Sequence, residues 1–159
     1  MRTVVVYYSR FGHTARIASA LAQELGAELR EIRAEKEHGY PVMGFGGVFN
    51  LRFRIKPMDF SFKPFDPVVL CTPIWASRPA CPVRTFLDRA RLEGKSLAVV
   101  FSGLSGETGK PLEAVRGDVQ GKEVVLGPVK SLITKDLEEE SLRSFVRQFA
   151  AELRSRFPA

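Results

Sequence analysis

The stretch VVVYYSRFGHT, residues 4–14, carries the most structural information in this chain of 159 residues. Its first half is β-branched and aromatic, which predicts a buried strand. The hydroxyl- and glycine-bearing turn Ser9–Thr14 follows, and apolar residues then recur at helical spacing until Leu25, just before Gly26. A strand that enters a helix through such a turn presents unpaired N–H groups and a positive dipole end, which suit a phosphate. The alternative is a plain strand–turn–helix corner in which Thr14 caps the helix.

The composition is that of an ordinary globular protein, with 45% hydrophobic and 26% charged residues. We expect a single domain over residues 1–159. No apolar run approaches the roughly 20 residues of a membrane span, and the N-terminus has no signal-peptide pattern. Cys71 and Cys81 form neither a CxxC motif nor a metal spacing, which indicates reduced thiols in a cytoplasmic protein.

The net charge of +6 indicates either an acidic partner or an arginine-rich, solvated surface. The chain has no zinc finger, RNP motif or basic helix–turn–helix pattern, so nucleic acid is not the expected partner.

Strands and helices are predicted to alternate along the chain. Strands are expected at residues 3–8, 27–32, 67–72, 96–101 and 122–129, and helices at residues 14–25, 81–90 and 111–117. Asp136 to Glu139 resembles a capping box before a last helix, which presents Leu142, Phe145, Val146, Phe149 and Leu153 on one face. This order indicates an α/β protein with a five-stranded parallel sheet covered by helices on both faces.

The secondary structure of residues 33–63 is ambiguous from the sequence. Residues 49–56 alternate between apolar and polar, as a strand does, but a parallel sheet needs a crossover here, and crossovers are usually helical. We therefore expect a short helix over residues 46–55, with a mobile flap beside the active site as the alternative.

Three loops leave the carboxyl ends of the first, third and fourth strands: residues 9–14, 72–78 and 102–109. In parallel α/β sheets, ligands bind at this edge. Trp75, the chain's one tryptophan, either stacks on a planar ligand ring or packs at the sheet edge. Arg10 and Arg78 are either ligand contacts or solvated surface residues, whereas His13 is expected to border the turn and Cys71 to lie in the core.

Together, these loops resemble the flavin-binding loops of the flavodoxin family. Residues 5–14 are similar to that family's FMN phosphate loop, residues 72–79 to its second flavin loop, and residues 101–103 to the entry of its third. The resemblance implies a three-layer, flavodoxin-like fold with the strand order 2-1-3-4-5, and bound FMN. The residues expected to contact FMN are Ser9, Arg10, Phe11, Gly12, His13, Thr14, Thr72, Pro73, Ile74, Trp75, Ala76, Ser102, Gly103, Leu104 and Gly106.

The chain departs from the family pattern at several places. Phe11 replaces a phosphate-loop hydroxyl, Ala76 stands where flavodoxins often have glycine, and Leu104 stands where they usually have a stacking tyrosine. Classical flavodoxins are also acidic, whereas this chain is basic. The resemblance therefore implies either an electron carrier for a redox partner protein or a reductase of a small acceptor such as a quinone.

The competing hypothesis is a flavin-free binding or regulatory module on the same fold, because fold alone does not determine function. A phosphoryl-accepting receiver domain is excluded, since Tyr7, Tyr8 and Ser9 stand where a receiver needs an acidic pair.

Overall fold

A computed structural model of the protein describes residues 2–159. Strands and helices alternate through most of the chain. The elements are β1 (Arg2–Tyr7), α1 (His13–Leu25), β2 (Glu28–Glu31), α2 (Tyr40–Val48), β3 (Phe65–Trp75), β4 (Arg78–Pro79), α3 (Cys81–Arg89), β5 (Ser96–Gly103), α4 (Gly109–Asp118), β6 (Val125–Ile133) and α5 (Glu139–Arg156).

The five long strands form a parallel sheet in the order β2-β1-β3-β5-β6, and the short β4 pairs antiparallel with β3. Counted without β4, this is the predicted order 2-1-3-4-5, which is confirmed. Val5 pairs with Val69 and Val69 with Ala98, so the three central strands run in register toward the same edge.

Alternate residues of the central strands pack against opposite helical layers. Val4, Val68 and Leu97 belong to one core cluster, which includes side chains of α3 and α4. Val5, Val69 and Ala98 belong to the other, which includes side chains of α1 and α5. The continuous apolar runs of β1 and β3 follow from this arrangement, because both faces of these strands are covered.

Several element boundaries differ from the prediction. β3 continues past residue 72 to Trp75 and turns back into β4, where a loop was expected. β6 begins at Val125 rather than at residue 122. The predicted capping box is wrong, because Glu138 is the N-cap of α5 and makes no side-chain cap hydrogen bond. Asp136 instead has a φ of 53°, outside the helix.

The crossover helix was expected over residues 46–55, but α2 occupies Tyr40–Val48. Pro41 suits the start of the helix, because its missing N–H needs no partner there. Asn50 ends it with a φ of 59°, while the N–H groups of Asn50 and Leu51 donate to the carbonyls of Gly47 and Gly46. Residues 49–56 do not form a regular strand despite their alternating sequence. Their one β-type pairing in the described structure is the isolated antiparallel bridge between Ala34 and Ile55.

Within residues 2–159, no helix combines the length and apolar character required to cross a membrane.

A buried ion pair connects α3 to α4. The Arg84 guanidinium donates from Nε and Nη2 to the two carboxylate oxygens of Asp118, at 2.8 Å each. Arg52 donates to the same carboxylate at 2.6 Å and to Asp88 at 2.9 Å. Because Asp118 is the acceptor for two arginines, its removal leaves a buried positive charge without compensation.

We expect Asp118→Ala to lower the free energy of unfolding by about 3–5 kcal/mol, the usual cost of breaking a buried ion pair. The free energy of unfolding is measured by urea denaturation, with circular dichroism as the signal of unfolding. Glu113→Ala is the matched control, because its pair with Arg116 is exposed and spans 3.6 Å; we expect it to cost under about 0.5 kcal/mol. Equal losses in the two variants would contradict the assigned role of Asp118.

Candidate functional site

A cavity of about 710 Å³ opens at the carboxyl edge of the sheet. This volume lies within the range of small-molecule binding sites, about 300–1,000 Å³. All three predicted loops contribute to its wall, and so do α2 and the segment between β6 and α5. The lining residues are Ser9, Arg10, Phe11, His13, Thr14, Tyr40, Met43, Gly44, Pro73, Ile74, Trp75, Ser102, Gly103, Leu104, Thr134, Lys135 and Asp136.

The turn before α1 presents unpaired N–H groups to one end of this cavity. Gly12 is the N-cap, with a φ of 96° that suits glycine, and α1 has no side-chain cap. Within the described chain, the N–H groups of His13, Thr14 and Ala15 have no acceptor. The Ser9 hydroxyl accepts a hydrogen bond from the Gly12 N–H at 3.0 Å, which leaves its own proton free to donate. The arrangement suits an anion.

Thr14 does not cap α1. Its Oγ1 lies 2.7 Å from Oγ of Ser102, and both side chains are buried. This hydroxyl pair connects the start of α1 to the end of β5 beneath the cavity. Since each hydroxyl has one proton, the pair retains one donor for a ligand atom.

Arg10 is held beside the turn by the loop that precedes α2. Its Nε lies 3.2 Å from the His38 carbonyl oxygen and 3.3 Å from a carboxylate oxygen of Glu37. The same Glu37 carboxylate accepts a hydrogen bond from the hydroxyl of buried Tyr8 at 2.8 Å. Burial and this hydrogen bond raise the pKa of Tyr8 far above its usual value, so the phenol stays protonated.

The wall formed by β3 ends in a tight hairpin. Ala76 and Ser77 have φ values of 49° and 60°, and the pairing of Trp75 with Arg78 makes them a two-residue turn of type I′. Trp75 is 7% exposed and packs edge-on against Tyr8, with ring centroids 5.8 Å apart. The indole therefore presents only a small part of its surface to the cavity.

More exposed apolar side chains complete the wall. The rings of Phe11 and Tyr40 are stacked with centroids 5.2 Å apart, and they are 51% and 73% exposed. Leu104 is 84% exposed. An apolar, planar group would bury these surfaces, with a stabilisation of about 25 cal/mol per Å² of apolar area.

Eleven of the fifteen predicted contact residues line the cavity; the four that do not are Gly12, Thr72, Ala76 and Gly106. Thr72 is fully buried, and its hydroxyl donates to the Pro73 carbonyl and accepts from the Ala80 N–H. Ala76 lies in the hairpin turn. Arg78 does not face the cavity either, because its Nη1 donates to the carbonyls of Gly47 and Val48 in α2, at 2.7 Å each.

Sequence reasoning missed six lining residues: Tyr40, Met43, Gly44, Thr134, Lys135 and Asp136. The first three belong to α2, whose position was predicted too late in the chain. The last three follow β6, whose end was predicted at residue 129 rather than at Ile133. Parallel strands end at one edge, so the segment after every strand was a candidate in principle.

Neither thiol is suited to nucleophilic chemistry. Burial raises the pKa of the Cys71 thiol well above its usual range and raises the pKa of Cys81 to about 11. Both therefore stay protonated near neutral pH. Among residues 2–159, no group of three histidine, cysteine or acidic side chains is placed to hold a metal ion.

No family model and no curated protein matches this chain. Solved structures do. A protein of Bacteroides eggerthii assigned as a flavoprotein has a TM-score of 0.74 at 19% identity, over 94% of this chain and 98% of its own. A Lactobacillus acidophilus flavoprotein in complex with FMN has a TM-score of 0.71 at 17% identity, over 85% and 94%. Oxidised flavodoxin 2 of Bacillus cereus has a TM-score of 0.66 at 16% identity, over 99% and 100%. Likeness at these identities establishes the fold, and this chain has the flavodoxin-like fold.

Proposed function

We propose that the protein binds FMN in this cavity and passes electrons to a redox partner protein or to a small acceptor such as a quinone. The observation that carries the proposal is the uncapped first turn of α1 at one end of a cavity whose other walls are apolar. FMN has the same division, with a phosphate at one end and a planar ring at the other. The FMN complex of the similar L. acidophilus flavoprotein supports the proposal.

The residues present fit this cofactor. The N–H groups of His13, Thr14 and Ala15, together with the Ser9 hydroxyl, supply donors for a phosphate. The cationic side chains Arg10 and Lys135 line the same cavity, against one acidic side chain, Asp136. Phe11, Tyr40 and Ile74 provide apolar surface for the ring, and Trp75 adds the exposed part of its indole.

Bound FMN supplies the redox chemistry, because it accepts and passes on electrons singly or in pairs. The chain's own contribution is to bind, orient and shield the cofactor. Ser102 and Thr14 hold a hydroxyl pair at the base of the cavity, while Leu104 and the Phe11–Tyr40 stack limit access of water from the outer side. This role requires no acid–base dyad.

We expect FMN to bind far more tightly than riboflavin, because only FMN has a phosphate for the turn before α1. Ser9→Ala combined with Thr14→Ala should weaken FMN binding by about 1–3 kcal/mol, the scale of hydrogen bonds to a charged group. Fluorescence titration measures both ligands. Ser19→Ala, an exposed change on α1, is the control. Equal affinities for FMN and riboflavin would contradict the phosphate assignment.

We expect the protein loaded with FMN and reduced under anaerobic conditions to be reoxidised by a water-soluble quinone at a rate that increases with quinone concentration. Stopped-flow absorbance in the flavin bands follows the reaction, with free reduced FMN as the reference. A reoxidation rate that does not change with quinone concentration would exclude the quinone as an acceptor. A protein that fails to bind FMN at all would instead support the flavin-free module.

Trp75→Phe should weaken FMN binding about two- to tenfold, the scale of one aromatic contact, and should shift the visible absorption and circular dichroism bands of the bound flavin. Phenylalanine limits the disturbance of the core, whereas alanine would leave a cavity at this buried position. Phe149→Leu, a buried change in α5 in the other core cluster, is the control. Identical flavin spectra in wild type and Trp75→Phe would place the indole outside contact with the ring.

A further inference from the structure

One surface of the protein is unusually apolar. Of the eleven exposed large hydrophobic residues among residues 2–159, six lie within twelve consecutive positions. We call them the α2 surface: Tyr40 (73% exposed), Val42 (44%), Phe45 (58%), Val48 (59%), Phe49 (61%) and Leu51 (39%). The Phe45 and Phe49 rings lie 4.4 Å apart by their centroids and form its centre. Clustered apolar exposure of this kind marks an interaction site.

The orientation of α2 accounts for this exposure. The helix buries its small residues Gly46 and Gly47, together with Met43. A Cβ at Gly47 would lie 2.7 Å from the Trp75 carbonyl oxygen, and one at Gly46 would lie 2.7 Å from the Phe53 ring. The backbone of Trp75 leaves room only for glycine at residue 47, and a side chain at residue 46 would have to displace the Phe53 ring. The helix therefore packs through its glycines and presents its aromatic side chains outward. This reverses the usual arrangement of a surface helix.

Cations predominate in the part of the chain that forms and follows the α2 surface, although Glu37, which pairs with Arg10, precedes the helix. Residues 38–58 contain no acidic side chain, and Arg52, Arg54 and Lys56 follow the helix. Arg52 is paired with Asp88 and Asp118. Arg54 and Lys56 are exposed and form no ion pair within the described chain. Arg78 adds a further positive charge at the C-terminal carbonyls of α2.

We propose that the α2 surface docks the protein on an anionic lipid bilayer, with its aromatic and aliphatic side chains at the boundary between headgroups and acyl chains. An interfacial helix binds through apolar side chains on one side and through cations that attract anionic lipids. Aromatic residues also favour the membrane interface. The excess of cations in residues 38–58 matches an anionic surface, and it is this charge pattern that favours lipid over a second copy of the same basic chain.

The test is flotation of the full-length protein with phosphatidylcholine vesicles, with and without phosphatidylserine. We expect binding to vesicles containing phosphatidylserine, little binding to pure phosphatidylcholine, and loss of binding as salt is added. Phe45→Ser with Phe49→Ser should reduce vesicle affinity on the order of tenfold per side chain. Arg54→Gln with Lys56→Gln should reduce it about fivefold per charge.

Two variants serve as controls. Val125→Ser with Ile133→Ser removes comparably exposed apolar side chains from β6, and Arg143→Gln with Arg147→Gln removes exposed charges from α5; both should bind as the wild type does. The proposal would be overturned if the protein bound neither kind of vesicle. It would also be overturned if the Phe45→Ser/Phe49→Ser variant bound as tightly as the wild type. A dimer in analytical ultracentrifugation that this variant dissociates would overturn it as well, since the α2 surface would then be a self-interface. Tyr40 borders the flavin cavity, but Phe45 and Phe49, the centre of the α2 surface, do not line it. Flotation with and without added FMN should therefore agree, which separates this proposal from flavin binding.

Discussion

Parallel pairing of β1, β3 and β5 is the constraint on which the candidate site depends. The three strands are in register, and Tyr7, Cys71 and Val100 lie side by side. Their lengths beyond this row differ, however. β1 ends at Tyr7, whereas β3 continues to Trp75 and β5 to Gly103. The longer strands therefore rise above the end of β1, and the space over its last residue becomes a cavity instead of a flat edge.

Much of this arrangement was predictable from local pattern. The apolar runs of β1, β3 and β5 and the helical spacing in α1 and α5 predicted a parallel α/β sheet, because both depend on burial that the sequence expresses directly. The strand order came from the resemblance to the flavodoxin family. The turn before α1 was also recognisable from the sequence. Gly12 and the hydroxyls of Ser9 and Thr14 are local signals, although the structure uses Gly12 rather than Thr14 as the cap.

The errors arose where tertiary contacts override local preference. Ala76 and Ser77 adopt positive φ values that such residues rarely take alone, so the hairpin after Trp75 has no clear sequence signal. The crossover helix was expected over residues 46–55 because a parallel sheet needs a crossover there, yet residues 54–56 instead pair with residues 33–35 outside the main sheet. Pro41 and Asn50 lie at the true ends of α2, but topology alone requires a crossover helix without fixing where it begins and ends.

The fit of Gly47 against the Trp75 carbonyl oxygen also restricts how the sequence can diverge. No side chain can be added at residue 47 unless the β3–β4 hairpin moves away, and the hairpin cannot move without releasing the Arg78 hydrogen bonds to α2. Substitutions at these positions are therefore coupled by packing and hydrogen bonding. In descendants of this chain, a side chain at residue 47 should appear only together with a change in the β3–β4 hairpin that includes loss of the Arg78 contacts, and such a lineage would be expected to have rebuilt this wall of the cavity.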